Sequence, residues 1–274
     1  MLQATDVADY QRDGYLPGRP ILTAEQSAAY FADCARCCGP KDTDGVRRQA
    51  YNRLKPYLLF PWAAELVRHP DILDIVEAII GPDILLFHTT VWFKEPESAG
   101  YVPWHQDATY FGLDPLQQVT AWIALTPSTR DNGCVQVLPG THRDGQRPHR
   151  DQADQRAMLS RGQTLTDTLD ESQAVDLLLA PGDVTFHHTL LMHRSAPNLS
   201  NKPRIGFGIS YIPTHVRHVT ETRLTASVVR GVDRFGHFDT ESEPQAEDMD
   251  TAISTHTDAV QRFFRASESI AEPV

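Results

Sequence analysis

The spacing of apolar residues along the chain changes character near Asp83. Before that point it is helical: residues 5–40 predict helices interrupted by a proline-containing turn, and Thr23 is placed as a helix N-cap with a glutamine at the capping-box position. Residues 61–80 carry the apolar face of one helix, or of two helices broken near Pro70, before a Gly-Pro stop. The first third is therefore predicted to be mainly helical.

Beyond this point, β-branched and aromatic residues gather in short runs separated by Pro-Gly and Asn-Gly turn signals. Residues 84–93 predict a strand pair or one long strand. Further strands are predicted at 119–125, 135–138, 174–179, 183–187 and 205–212. Short strands at this density are typical of a β-sandwich or barrel.

Between these strands lies a polar insertion, 143–173, which could cover a pocket mouth or could be a solvated excursion. No internal repeat is present, so residues 1–274 are expected to form a single domain. Its parts are a mostly helical cover (1–82), a β core (83–213) and a C-terminal loop and helix (214–274), with the closing helix near 251–264.

The 274 residues, 41% of them apolar, suffice for a packed globular core. Net charge is −11, from 25 basic and 36 acidic residues, and the sequence pI is near 5.5. This argues against nucleic acid or an anionic membrane as a partner recognised through bulk charge. The N-terminus lacks the pattern of a signal peptide and no apolar run could span a bilayer, so a cytoplasmic protein is expected.

The four cysteines are poorly spaced for a disulfide framework or a complete zinc site. We expect reduced thiols, with redox or metal chemistry at the first three as the alternative. They are Cys34, Cys37, Cys38 and Cys134.

The candidate chemistry centres on the tripeptide His105-Gln106-Asp107. Residues two apart on a strand project to the same face, so the imidazole and carboxylate could share one ion. His193 would have to be brought in by the fold. Two imidazoles and a carboxylate can occupy one face of iron(II) and leave positions open for a co-substrate and dioxygen. By itself the HxD pair is a weak signal, because the chain has 12 histidines.

The surroundings of these residues make the signal more specific. Around Pro103-Trp104, Trp122 and the run from His193 to Arg204, the sequence resembles the phytanoyl-CoA dioxygenase family of iron(II)/2-oxoglutarate oxygenases. The resemblance covers roughly residues 5–240 and is densest at 102–143 and 181–213. It implies a mainly β fold with flanking helices, a double-stranded β-helix (jelly-roll, cupin-like) core beneath an N-terminal helical cover.

The resemblance also implies roles for individual residues. His105, Asp107 and His193 become the catalytic iron(II) ligands. Arg204 becomes the partner of the distal carboxylate of 2-oxoglutarate, a suitable task for a guanidinium fork. Ser195 would hydrogen-bond the same carboxylate, and Trp122 would pack beside the co-substrate. A lysine often assists in this family; Lys94 and Lys55 are both candidates, and spacing does not choose between them.

Asp107 bears on the type of oxidation, because halogenating relatives resemble this family but carry a small residue there. The resemblance therefore implies hydroxylation of a small molecule, or another two-electron oxidation such as desaturation, with oxygen consumed and succinate and carbon dioxide released. The substrate could belong to secondary metabolism or catabolism. The alternative from another class is a non-oxidative cupin-type metalloprotein, which would have no reason to place Ser195 and Arg204 after its last ligand.

Several polar residues near these motifs have less specific interpretations. Of His187 and His188, alternation points one inward, and a supporting role is favoured over metal binding. Three arginines following Arg204 could form a rim that recognises an anionic substrate, or could make ordinary surface salt bridges. They are Arg217, Arg230 and Arg234.

Overall fold

The computed structural model of the chain describes residues 4–39, 51–244 and 248–270. Within these residues the helices are α1 (Ala4–Asp13), α2 (Ala24–Cys38), α3 (Pro61–Leu66), α4 (Pro70–Ile80), the single turn α5 (Ala108–Phe111) and α6 (Met249–Ser269). No helix in this part of the chain is long and apolar enough to cross a membrane.

The strands form two principal sheets. In chain order the strands are β1 (Tyr15–Pro20), β2 (Ile84–Lys94), β3 (Val102–His105), β4 (Leu113–Asp114), β5 (Val119–Ala124), β6 (Val135–Val137), β7 (His149–Arg150), β8 (Thr164–Leu165), β9 (Val175–Leu177), β10 (Asp183–His188), β11 (His193–Ser195), β12 (Arg204–Pro213), β13 (Arg217–His218), β14 (Thr225–Arg230) and β15 (Asp239–Thr240). A seven-stranded sheet has the order β1-β10-β5-β12-β2-β14-β15, and a four-stranded sheet has the order β3-β11-β6-β9. The pairs β4/β13 and β7/β8 stand apart from both.

Alternation along the central strands gives each face of the large sheet its own partner. On β5, Ala121 and Ile123 pack into a core shared with the helices, whereas Trp122 and Ala124 pack against residues of the small sheet. On β12, Phe207 packs into the same core that is shared with the helices. The result is the predicted jelly-roll of two facing sheets, with helices covering the outer face of the larger one.

The helical cover follows its sequence signals closely. Thr23 and Gln26 form the expected capping box at the start of α2. The apolar run at 61–80 is two helices, each beginning with proline, as a break near Pro70 predicts. Gly81 then ends α4 with a φ of 92°, a conformation that favours glycine.

Two segments outside the predicted β core join the large sheet. Residues 15–20, expected as a turn, form the edge strand β1, in which Leu16 pairs with Phe186 of β10; prolines are tolerated there because an edge strand does not need every N–H. At the other side β14 pairs with β2, so the sheet continues past residue 213. Each of the five shorter predicted strands overlaps an observed one, and 84–93 is the single long strand β2.

Candidate metal and anion site

Strand pairing brings the two histidines of the motif together. β11 and β3 run antiparallel with His193 directly opposite His105, and their imidazole centroids are 4.1 Å apart. With Asp107, each offers a ligand atom, and these three atoms all lie within 4.8 Å of one another. The 86 residues that separate Asp107 from His193 are thus spanned by the jelly-roll itself.

Asp107 reaches this cluster by a different route from the one expected. The strand ends at His105, and Asp107 has helical backbone angles at the start of the single turn α5. Its carboxylate still lies 3.5 Å from His105 Nε2 and 3.7 Å from His193 Nε2. The prediction that strand alternation sets the geometry was wrong, because the chain turns immediately after the first histidine.

Each candidate histidine ligand has its second nitrogen committed to the backbone. Nδ1 of His193 donates to the Leu191 carbonyl at 2.9 Å, and Nδ1 of His105 donates to the carbonyls of Pro103 and His193 at 3.0 and 3.1 Å. A proton on Nδ1 leaves Nε2 with a free lone pair facing the cluster, as a metal ligand requires. Burial, together with the charge of His105, holds the pKa of His193 well below its usual value, which favours the neutral form.

The carboxylate of Asp107 is held by its neighbours. Thr120 Oγ1 donates to Oδ2 at 3.1 Å, and His187 Nε2 lies 3.5 Å from the same oxygen. Burial raises the pKa of Asp107, but the imidazoles around it, His193 foremost, keep that pKa well below its usual range. The donor set is therefore the Nε2 atoms of two imidazoles and an ionised carboxylate, which fits iron(II).

A group of cations lies on the other side of the same cavity. Lys94 on β2 and Arg204 on β12 are paired in register, and only 1% and 2% of their surfaces are exposed. Lys94 Nζ donates to Ser195 Oγ at 2.6 Å and to the Ala196 carbonyl, and Arg204 Nη2 donates to Ser195 Oγ at 2.5 Å. The Ser195 hydroxyl in turn donates a hydrogen bond to the Gly133 carbonyl at 2.7 Å.

Neither buried cation forms an ion pair with a carboxylate of the described residues, and Arg204 Nε has no hydrogen-bond partner among them. Burial lowers the pKa of Arg204 to about 10. Burial, followed by the charge of Arg204, lowers the pKa of Lys94 to about 6. Two buried cations without a counter-charge are costly unless an anion joins them, so this arrangement predicts an anion site.

Trp122 forms one wall of the anion site. The Arg204 guanidinium carbon lies 5.1 Å from the centre of the indole ring, within cation–π range. The ring also packs over Gly206, where an added Cβ would fall 1.9 Å from the ring carbon Cζ2. Glycine at this position lets the indole lie flat on β12 beside the guanidinium.

The structure separates the two lysine candidates. Lys94 lines the cavity that also contains Asp107 and Ser195. Lys55 is buried elsewhere and pairs with Glu241 at 2.6 Å, with Tyr57 donating to the same carboxylate at 2.7 Å. Only Lys94 can reach a ligand between the metal cluster and Arg204.

The arginines beyond Arg204 make surface ion pairs instead of a rim around the cavity. Arg217 pairs with Asp114 at 2.8 Å. Arg230 pairs with Asp74 and Glu77 at 2.7 Å, and Arg234 pairs with Asp83 at 2.8 Å. Of the two interpretations offered for these arginines, the one of ordinary surface salt bridges is therefore confirmed.

A second compartment adjoins His105 and Asp107 and has a volume of about 380 Å³. Met158 and Gln163, from the polar insertion, form part of its wall. The interpretation of the insertion as a cover therefore holds for this stretch.

Sequence reasoning missed the residue that supports the tripeptide from this insertion. His149 Nε2 accepts from the Gln106 backbone N–H at 3.0 Å, and its Nδ1 donates to the Arg147 carbonyl at 2.8 Å. The Gln106 side chain donates in turn to the Leu190 carbonyl at 2.7 Å. No local pattern signals these contacts. As alternation predicts, His187 faces the cavity, whereas His188 Nδ1 accepts from the Leu190 N–H outside it.

All four cysteines are free thiols, as expected. Cys34 and Cys38 are fully buried, one helical turn apart on α2. They form part of the core beneath the large sheet.

Comparison with known proteins places these residues in a family. The model of the family described as phytanoyl-CoA dioxygenase (PhyH) matches residues 10–206. Peroxisomal phytanoyl-CoA dioxygenase of Homo sapiens is 36% identical over 141 residues, 49% of this chain, and the match spans only 42% of the human protein. The 1-deoxypentalenic acid 11-beta-hydroxylase of Streptomyces arenae is 31% identical over 211 residues, covering 71% of this chain and 74% of that protein.

Solved structures extend the similarity to nearly the whole chain. The apo form of the non-heme monooxygenase ThoJ superposes with a TM-score of 0.86 at 30% identity, covering 96% of this chain and 98% of that one. CytC3 with Fe(II) and alpha-ketoglutarate superposes with a TM-score of 0.66 at 25% identity, covering 86% and 92%.

Proposed function

Because the chain belongs to the phytanoyl-CoA dioxygenase family, we propose that it is an iron(II)/2-oxoglutarate-dependent dioxygenase that hydroxylates an unactivated C–H bond of a small molecule. The observation that carries the proposal is the pair of buried cations, Lys94 and Arg204, lining one cavity with the cluster of His105, Asp107 and His193. A metal-binding protein that does not use a dicarboxylate co-substrate has no reason to maintain such a pair.

In this proposal each residue has a defined task. Nε2 of His105, Nε2 of His193 and the carboxylate of Asp107 hold iron(II), and Arg204 with Lys94 binds the distal carboxylate of 2-oxoglutarate beside Ser195. When iron(II) and 2-oxoglutarate are bound, they would supply a two-electron oxidation of the substrate by dioxygen, with release of succinate and carbon dioxide. The protein orients the co-substrate and shields it, since the cations and the cluster are buried.

Asp107 favours hydroxylation over halogenation. Its carboxylate belongs to the cluster and accepts from Thr120, and with iron(II) bound it would occupy the position that a halide would need. The curated relative named 1-deoxypentalenic acid 11-beta-hydroxylase supports the same choice. Desaturation by the same residues is the alternative outcome, because it needs the same ligands and differs only in the fate of the substrate.

The test is aerobic incubation of the protein with iron(II) and 2-oxoglutarate, with succinate measured over time. Slow succinate formation without added substrate is expected for the wild type and should be lost in His193→Ala. No succinate from the wild type, or equal amounts from both proteins, would overturn the proposal.

A further inference from the structure

One arginine, Arg53, lines the second compartment and forms no ion pair with a carboxylate of the described residues, although the charge of Glu95 acts on it at longer range. This inference rests on the proposed function: once Arg204 and Lys94 are assigned to 2-oxoglutarate, the compartment beyond Asp107 is left for the molecule that is oxidised. Thr90 and Trp92 line both compartments, and Arg53 and Gln163 line only the second.

Arg53 is fixed in place at this compartment. Its carbonyl accepts from the Val91 N–H at 2.8 Å, which ties it to β2, and its Nε donates to the Cys38 carbonyl at 3.0 Å. The guanidinium carbon lies 5.2 Å from the centre of the Phe93 ring. No carboxylate of the described residues forms an ion pair with Arg53. Its terminal nitrogens are therefore available to an anion in the compartment.

The side-chain oxygen of Gln163 is a second polar feature of this compartment. Its surface is 2% exposed, it lines the same compartment, and its Oε1 has no hydrogen-bond donor among the described residues. A buried amide oxygen without a donor is unfavourable. A bound molecule with a hydroxyl or amide group would supply that donor.

The rest of the wall is mainly apolar. It includes Leu54, Phe111, Met158, Leu159 and Phe264. Among the described residues, Arg53 is the only lysine or arginine in the lining of this compartment. One guanidinium fork matches a carboxylate, whereas a phosphate dianion usually recruits several cationic or backbone donors.

We propose that the second compartment binds a small carboxylic acid with a largely apolar body, that Arg53 holds its carboxylate, and that Gln163 accepts a hydrogen bond from a donor on the body. The carboxylate end is then fixed at Arg53, and the apolar body extends towards Asp107. This arrangement would select which carbon faces the metal cluster.

The test compares acids with their uncharged amides on protein whose first anion site is already filled. Iron(II)-loaded protein is saturated anaerobically with N-oxalylglycine, an inert analogue of 2-oxoglutarate. Decanoic acid, adamantane carboxylic acid and the primary amide of each are then titrated, with binding followed by calorimetry and by the fluorescence of Trp92, which lines the compartment.

The wild type should bind each acid at least about tenfold more tightly than its amide, the effect expected of a charge-assisted hydrogen bond. Arg53→Gln should abolish this preference, and Arg53→Lys should retain part of it. Arg217→Gln, which alters a surface arginine paired with Asp114, is the matched control and should behave as the wild type.

Equal binding of acid and amide by the wild type, no binding of either, or a preference that survives in Arg53→Gln would overturn the inference. Succinate formation without substrate is measured in parallel on every variant. It should be unchanged in the surface control Arg217→Gln. A wild type that forms succinate but does not prefer the acid would overturn this inference alone, whereas a wild type that forms no succinate would overturn the proposed dioxygenase activity.

Discussion

Lys94 and Arg204 lie opposite each other on neighbouring strands, and both donate to the hydroxyl oxygen of Ser195. Two basic side chains are thereby held side by side in a buried place. Burying these groups without an anion raises the free energy of the ligand-free protein, and a bound anion offsets this cost. The predictions for the anion site follow from this relationship.

Replacing Arg204 should impair co-substrate binding selectively. Arg204→Gln is expected to raise the Kd for 2-oxoglutarate by about 10- to 100-fold, because a charge-assisted hydrogen bond contributes about 1.5 to 3 kcal/mol. Arg204→Lys should recover only part, since it lacks the planar fork. The measurement is calorimetric titration of the metal-loaded protein without oxygen, with Arg217→Gln as control. Unchanged affinity in Arg204→Gln would contradict the assignment.

Replacing each of the two buried lysines by methionine should affect the free energy of unfolding differently. Lys55→Met leaves the Glu241 carboxylate buried without its cation and should lower the free energy of unfolding by about 3 to 5 kcal/mol. Lys94→Met removes a buried amine that has no carboxylate partner among the described residues, so the free energy of unfolding should stay level or rise while 2-oxoglutarate binding weakens. Urea unfolding without ligand checks both variants. A comparable loss of stability in Lys94→Met would show that this lysine has a structural partner.

The depressed pKa of Lys94 predicts that co-substrate binding depends on pH. With a pKa of about 6 in the free protein, Lys94 is largely neutral above that pH. A bound dianion favours the charged ammonium, so binding takes up a proton and the Kd should rise with pH above 6, by at most about tenfold per unit. Below the free pKa this dependence should vanish.

Calorimetry in buffers of different ionisation enthalpy measures the proton uptake directly. At low pH, Lys94→Met should bind 2-oxoglutarate more weakly than the wild type does. Its binding should not be accompanied by this proton uptake. The same uptake in Lys94→Met would assign the proton to another group.

His149 should matter for metal affinity although it touches no metal ligand directly. It accepts the Gln106 N–H between the two ligands of the tripeptide, so His149→Leu leaves that N–H without an acceptor. Loss of such a supporting contact typically costs 10- to 100-fold in metal affinity. Competition for iron(II) with a chromophoric chelator tests this, and the exposed His215 supplies the control His215→Ala. Equal iron affinity in the two variants would show that His149 stabilises the polar insertion but does not contribute to metal binding.

The sequence predicted much of the fold because local signals there agree with the tertiary structure. The capping box at Thr23 and the helix break near Pro70 are local signals, and both lie where they were expected. Strand β1 was missed because Pro17 and Pro20 are turn signals, and only the edge position beside β10 makes them compatible with a strand.

At the site, the sequence supplied the residue types but not the geometry that joins them. The choice between Lys94 and Lys55 depends on which lysine a distant carboxylate neutralises, and Glu241 lies 186 residues from Lys55. The positions of His149 and Arg53 likewise depend on contacts between remote segments. No periodicity or spacing in the sequence encodes such contacts.

An anaerobic titration of the iron(II)-loaded protein with 2-oxoglutarate, followed by the visible charge-transfer band of the chelate, tests whether this site binds both the metal and the co-substrate. The wild type should develop the band to saturation at one equivalent, Arg204→Gln should need far more co-substrate, and His193→Ala should not develop it. Absence of the band in the wild type, or its undiminished appearance in His193→Ala, would contradict the assignment of this site to iron(II) and 2-oxoglutarate.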